Sequence, residues 1–328
     1  MPSRVTSRAV AEKAGVSRSA VSRVFTPGAS VAPKTAEKVR KIAAELGYRP
    51  NILARGLLTG RSRMIGLVVA YLDNQFYPGA LEKLSAALED QGYHVLIFMA
   101  AQTADNIEEV AEDILDYQID GLILASVALS SPLAQRCRAR GVPVMLFNRH
   151  QGDDQLSVTS DNEAGGRMAA RHLIARGARK IGHIAGWEGA STQADREAGF
   201  LSELHAAGLT LHAREVGDFH PERARDAARR IFAGPDRPDA VFVANDYMAF
   251  PVMDVIRFEM GLRIPEDVAV IGFDDVPVAS WPSYDLTTIR QDSTAMVRAT
   301  VDGLLSSMDG ARPRASLIPV ELIKRSSA

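Results

Sequence analysis

The stretch VTSRAVAEKAGVSRSAVSRVF, Val5–Phe25, decides how the chain is read. It has the pattern of two short helices joined by a tight turn. Ala9, Val10 and Ala14 give the first helix a small apolar face. Gly15 stands where the chain must turn sharply, and a residue without a Cβ does so without strain. Ser17 can cap the second helix by accepting a backbone N–H. Val21 and Val24, three residues apart, face back to the first helix. That spacing is a helix-turn-helix, and it leaves Arg18, Ser19, Ser22 and Arg23 free to meet base edges and phosphates. Read in isolation, the stretch could also be an ordinary helical hairpin with solvated arginines.

The charge distribution favours the first reading. Residues 1–62 hold 12 Lys+Arg against 3 Asp+Glu, whereas the remaining 266 hold 26 against 37. A basic head on an acidic body is the footprint of a nucleic-acid binder. Val39, Ile42, Ala43 and Leu46 recur at helical spacing after Pro33, and Gly47 ends the run, so a third helix should cover the first two. The segment 49–62 contains Ile52, Leu53, Leu57 and Leu58 but spans about two helical turns interrupted by Gly56, which is marginal alone in water. Read alone it is either a flexible linker or a hinge that becomes helical only on DNA.

From Met64 the period changes. MIGLVVA (64–70) is a continuous apolar run, as a buried parallel strand requires. Strands at 95–99, 121–126 and 142–147 alternate with helices at 79–91, 104–117 and 131–140. A second series follows, with helices at 161–176, 193–207, 221–233 and 246–260 and strands at 180–185, near Glu215, and at 240–244 and 268–273. The alternation predicts α/β architecture with two doubly wound parallel sheets in tandem, a clamshell whose ligand cleft lies beyond the carboxyl ends of the strands. The single cysteine, Cys137, excludes an internal disulfide and suits a reducing cytoplasm. The start of the chain has no apolar signal region, and no run approaches the roughly 18 apolar residues of a bilayer span. The seven histidines show no metal-ligand spacing, and P-loop, GxSxG and HExxH motifs are absent. No cofactor, metal or catalytic residue is expected.

The whole chain resembles the LacI/GalR family of bacterial transcriptional regulators. The resemblance rests on VSRSAVSRVF, ELGYRPNILARGLLTGRS, IGLVVAYLDNQFY, IDGLIL, DNEAG (161–165), ANDYMAF (244–250) and IGFDD (271–275) taken together. It implies a homodimer that binds a palindromic DNA operator, usually as a repressor, with a periplasmic-binding-protein-like body that takes a sugar, polyol or sugar acid. The implied domains are 1–48 (head), 49–62 (hinge) and 63–328, the last split into lobes of about 63–160 with 291–320 and 161–290 with the C-terminus. By motif position Arg18 and Ser19 are base readers with Arg23 beside them. Thr6, Ser17 and Ser22 are phosphate contacts, Leu57 wedges into the minor groove, and Asn51 is a further DNA-binding residue. Asp73, Phe76, Arg149, Arg196, Phe219, Asp246 and Asp274 fall at positions that touch effector. The dimer face is expected on the helix around Leu81, Leu84 and Leu88.

The sequence departs from the family at Gly56, Leu58, Ala32, Asn148, Gln75 and the bulky pair Phe250-Pro251. Adjacent residues of an extended loop point apart, so Asp274 is expected to face the ligand in preference to Asp275. An Asp with two Arg suits vicinal hydroxyls or a carboxylate. Asp246 could cap the following helix or reach the ligand. Phe219 and Trp281 could stack on a sugar or lie in the core, and Trp281 could also belong to a dimer surface. The rival functions are an enzyme of Rossmann type, which lacks its glycine motif after Ala70 and Ala185, and a periplasmic sugar-binding protein, which would need no basic head.

Overall fold

The computed structural model describes residues 5–26, 29–49, 61–70, 72–100, 110, 113–127, 129–152 and 155–328. The chain forms two compact units, Met1–Ser62 and Arg63–Ala328. Asn51 and Leu57, and with them nearly all of the expected hinge, lie outside the described residues.

The first unit holds α1 (Ser7–Ala14), α2 (Arg18–Val24) and α3 (Pro33–Leu46). Thr6 and Ser17 cap α1 and α2, their hydroxyls accepting from Ala9 N–H and Ala20 N–H. Gly15 takes the left-handed conformation, φ 67°, and its N–H closes on Ala11 and Glu12 carbonyls. Val10, Ala14, Val21 and Val39 are fully buried at the centre, with Ala11, Val24, Ile42 and Ala43 around them. A core this small depends on each aliphatic contact, because apolar burial is its main favourable term.

The second unit is a pair of six-stranded sheets. β1 (Met64–Val69), α4 (Phe76–Asp90), β2 (His94–Met99), β3 (Gly121–Ala125), α5 (Ser131–Ala139), β4 (Val144–Phe147) and β5 (Ser157–Ser160) build the first lobe. α6 (Asn162–Ala175), β6 (Ile181–Ala185), α7 (Ser191–Ala206), β7 (Ala213–Val216), α8 (Pro221–Phe232), β8 (Ala240–Val243), α9 (Asp246–Asp254), β9 (Ala269–Asp274) and β10 (Thr287–Gln291) build the second. α10 (Ser293–Met308) returns to the first lobe, β11 (Ala315–Ile318) joins its sheet, and β12 (Val320–Ile323) goes back to the other. The orders are β11-β5-β4-β3-β1-β2 and β12-β10-β9-β8-β6-β7. All pairs are parallel except β10 with β12. The chain therefore passes between lobes three times, after Ser160, Gln291 and Ile318. Residues of β1 and β3 are buried without alternation, because helices cover both faces.

Two expectations need correction. Leu81, Leu84 and Leu88 do not form an outward face: they are buried in the first lobe's core with Phe147, Met296 and Leu304. Their spacing marks a buried stripe, and a buried stripe reads identically whether a sheet or another subunit covers it. The helix expected at 246–260 is α-helical only to Asp254. Pro251 sits inside it without an N–H to give, and the chain continues as a π turn, Val255–Glu259. Among the described residues of the expected helix 104–117, residues 110 and 113–116 are helical.

Candidate DNA-reading face and inter-lobe chamber

On the head, α2 turns Val21 and Val24 inward, which fixes Arg18, Ser19, Ser22 and Arg23 outward, all exposed. Ser17 and Ser19 hydroxyls lie 2.8 Å apart at the N-terminus of α2, where backbone N–H groups and the helix dipole favour a phosphate. Arg8 and Lys13 are neutralised by Glu12 and Glu45. Arg18 and Arg23 have no ion-pair partner among the described residues, so their cations remain available to an external anion.

In the body, the loops beyond the carboxyl ends of β1, β4, β7, β8 and β9 meet the first turns of α4 and α7. They enclose a chamber lined by Asn74, Tyr77, Asn148, Arg149, Thr192, Arg196, Phe219, Asn245 and Asp274. Several of these residues carry left-handed backbone: Asn148 at φ 58°, Phe219 at 56° and Asp274 at 128°. Each such non-glycine residue costs about 1 kcal/mol or more, and such strain concentrates at functional sites. The free volume of the chamber is about 10 Å³, room for about one water, against the roughly 300 Å³ or more of an occupied ligand pocket. The lobes are closed on it. Across the cleft Arg149 Nη1 donates to Thr192 Oγ1 at 2.8 Å, and Asn74 Nδ2 donates to Asp274 Oδ2 at 3.4 Å. At the rim His150 Nε2 meets Asp195 Oδ2 at 2.8 Å, and His150 N–H donates to Ser191 Oγ at 3.1 Å.

The two arginines differ in use. Arg196 is held on all sides: Nε donates to Asn162 Oδ1 at 2.9 Å, Nη1 to the Ala244 carbonyl at 2.6 Å, and Nη2 lies 3.6 Å from Asp274. Its guanidinium sits 3.7 Å over the Phe273 ring. Arg149 spends Nη1 on the Asn148 carbonyl and Thr192, and Nη2 on Ser126 Oγ at 2.9 Å. Asp274 accepts from Gln291 Nε2 at 2.7 Å. Burial pushes its carboxyl up to about 6, with Arg196, Asn74 and Gln291 pulling it back. Asp275, its neighbour, faces away and pairs with Arg290 and Arg325.

Of the residues expected at the effector, the structure brings Arg149, Arg196, Phe219 and Asp274 into one chamber and leaves three elsewhere. Asp246 is fully buried beside it, accepting from Thr288 Oγ1 at 2.6 Å and Val276 N–H at 3.1 Å. Burial and the nearby Asp274 push its carboxyl well above the usual range. Asn245 both caps α9 and lines the chamber. Phe76 is core, stacked on Phe147 at 6.4 Å, and Asp73 lies in an outer hollow with Arg225, Tyr247 and Tyr284. At Asp73-Asn74, Phe76-Tyr77, Asn245-Asp246 and Asp274-Asp275 one side chain of each pair lines the chamber and the other does not, which motif position alone does not resolve. Tyr77 and Thr192 were missed, since nothing local distinguishes them from core or capping residues. Among the described residues no group of three or more His, Cys, Asp or Glu could hold a metal ion. No described helix is long and apolar enough to cross a membrane.

Residues 8–51 match the model for bacterial regulatory proteins of the lacI family, and residues 170–328 match the periplasmic binding protein-like domain. The HTH-type transcriptional regulator CelR of Thermobifida fusca is 34% identical over 317 residues, 94% of this chain and 93% of that protein. The chain belongs to the lacI family. The HTH-type transcriptional repressor PurR of Erwinia tasmaniensis is 32% identical over 97% of this chain and 95% of that repressor. The Lac repressor dimer bound to operator and the anti-inducer ONPF superposes with a TM-score of 0.89 at 30% identity, over 99% of both chains. A CelR–cellobiose complex superposes with a TM-score of 0.75 at 31% identity, over 99% of this chain and 100% of that one. These lacI-family relatives are named as regulators and repressors, and their fold is the two-lobed body with a helix-turn-helix head described above.

Proposed function

We propose that this lacI-family chain is a sequence-specific transcriptional repressor, not an enzyme, that works in the cytoplasm as a homodimer on a palindromic operator. A small hydroxyl-bearing effector in the inter-lobe chamber switches it. The observation that carries the reading is the exposed row Arg18, Ser19, Ser22 and Arg23 on α2, with neither arginine ion-paired among the described residues. Arg18 and Ser19 read bases, Arg23 assists, and Thr6, Ser17 and Ser22 position the phosphates. One such head buries too little surface for tight specific binding, and two heads related by a two-fold read inverted half-sites. For the dimer, the edge strand β2 offers Ile97 and Met99, each about half exposed. An uncovered apolar edge of this kind is a surface that proteins cover with a partner. The closed chamber must open or exchange its cross-cleft bonds to admit an effector, which changes the relation of the lobes and so links effector to operator reciprocally.

Selection of bound duplexes from random DNA, followed by a salt titration, tests this. The expected result is one inverted repeat, with affinity falling steeply as salt rises. Equal affinity for all sequences, or no DNA binding at low salt, would refute it.

A further inference from the structure

The outer hollow that holds Asp73 is a cavity of about 210 Å³ and shares no lining residue with the chamber. The same four loops wall both. Asp73 and Gln75 flank Asn74, while Pro221, Tyr247 and Val276 stand two residues after Phe219, Asn245 and Asp274. In each loop one set of residues lines the chamber and the other lines the hollow. Asp73 and Gln75 come from the first lobe and the other lining residues from the second, so the hollow lies where the lobes meet. Phe250, also in its wall, packs against the cores of both lobes. Gln75, Phe250 and Pro251, three positions at which the sequence departs from the family, all line this cavity.

Its lining is aromatic and acidic. The Phe250 and Tyr284 rings lie 4.6 Å apart, and Tyr247 is a third ring. The charged residues of the wall are Asp73, Asp254 and Arg225. Arg225 lies 3.6 Å from both Glu222 and Asp254, so its charge is already answered. Asp73 is exposed and has no ion-pair partner among the described residues. Burial and the charge of Asp73 hold the Tyr247 phenol above its usual range, which places that carboxylate near the ring. An anion entering the hollow meets no free cation. A protonated amine meets a free carboxylate and aromatic rings, the surroundings that favour an organic cation. A benzene ring fits a cavity of roughly 150 Å³, and drug-sized ligands need roughly 300 Å³ or more. The hollow therefore suits one ring with a short tail.

We propose that this hollow is a second ligand site, separate from the chamber, that takes a one-ring aromatic amine in its protonated form, the ring among Tyr247, Phe250 and Tyr284 and the ammonium at Asp73. The site does not depend on what the chamber binds.

Calorimetry on the full chain at neutral pH, with phenethylamine, 2-phenylethanol, 3-phenylpropionate and butylamine, tests it. Phenethylamine should bind best. The neutral alcohol should be weaker by about fivefold or more and the acid weaker still, because an ion pair and a cation beside a ring each add a modest gain. Butylamine, with the charge but no ring, should be weaker by about tenfold or more. Asp73→Asn should bring amine and alcohol to within about twofold of each other. Gln75→Lys, which sets a cation against the amine, should weaken the amine and spare the alcohol. Both positions are exposed, so neither change threatens the fold. Hydrogen exchange should slow in residues 73–76 and 245–250 when phenethylamine binds. Equal affinity for amine and alcohol, an amine preference that survives Asp73→Asn, or butylamine matching phenethylamine overturns the proposal. So does protection confined to the chamber segments 148–150 and 191–196, or no amine binding at up to about 10 mM.

Discussion

Gly166→Ala tests whether the chamber depends on the close crossing of α6 and α7. A Cβ at Gly166 would fall on the Arg196 carbonyl oxygen, 2.8 Å from the Phe200 nitrogen and 3.0 Å from the Arg196 carbonyl carbon. Ordinary contact needs about 3.5–4.0 Å, so α7 must shift by about 1 Å at Arg196. Its bonds to Ala244 O at 2.6 Å and Asn162 Oδ1 at 2.9 Å then stretch toward their limit. Overpacking costs about 1–3 kcal/mol, and losing one hydrogen bond to a charged group about 1.5–3 more. The better helix propensity of alanine returns about 1 kcal/mol. The net expectation is a loss of about 2–5 kcal/mol, with effector binding abolished. Urea unfolding of the body followed by circular dichroism measures the first, and sugar titration the second. Gly79→Ala in α4 is the control. Nothing lies within 4 Å of its Cβ, so it should gain up to about 1 kcal/mol. If Gly166→Ala matches the parent within about 0.5 kcal/mol, the crossing does not hold Arg196 in place.

His183 offers a pH test. It is fully buried, stacked on Phe242 at 5.0 Å and donating from Nδ1 to the Phe242 carbonyl, and burial lowers its pKa to about 4. A depressed histidine contributes stability above its unfolded value of about 6.5 that is lost as pH falls toward 4, about 3 kcal/mol in all. The gap between parent and His183→Gln should therefore narrow over that window in chemical unfolding at a series of pH values, and a constant gap would show that His183 does not titrate there. Arg18→Ala should relax base preference at one position per half-site by about 1–3 kcal/mol, and uniform weakening on all DNA would make it a phosphate contact. Asp195→Ala should remove the rim bond to His150 and speed both entry and release of effector in stopped-flow fluorescence; unchanged rates would mean that the rim does not gate the chamber.

The local pattern of residues was enough for much of this. Gly15, the capping Ser17 and the pair Val21 and Val24 specify the helix-turn-helix, because turn geometry, capping and helical period act within a few residues of each other. The unbroken apolar runs at Met64–Val69 and Gly121–Ala125 declared strands covered on both faces, and their alternation with helices declared parallel sheets. The strands β10, β11 and β12 were not read, being short and half polar, and their place depends on the three crossings between lobes. The stripe Leu81, Leu84 and Leu88 was visible, but only the assembled lobe showed that α10 and the sheet cover it. At the chamber, the sequence named Arg149, Arg196 and Asp274 without naming their partners. Asn162, Ala244 and Phe273, which occupy Arg196, come from three other elements. The turn of one loop set Asn245 against the chamber and Asp246 into the core. A side chain's type is written in the sequence, but which of its atoms remain free depends on the groups that folding brings to it.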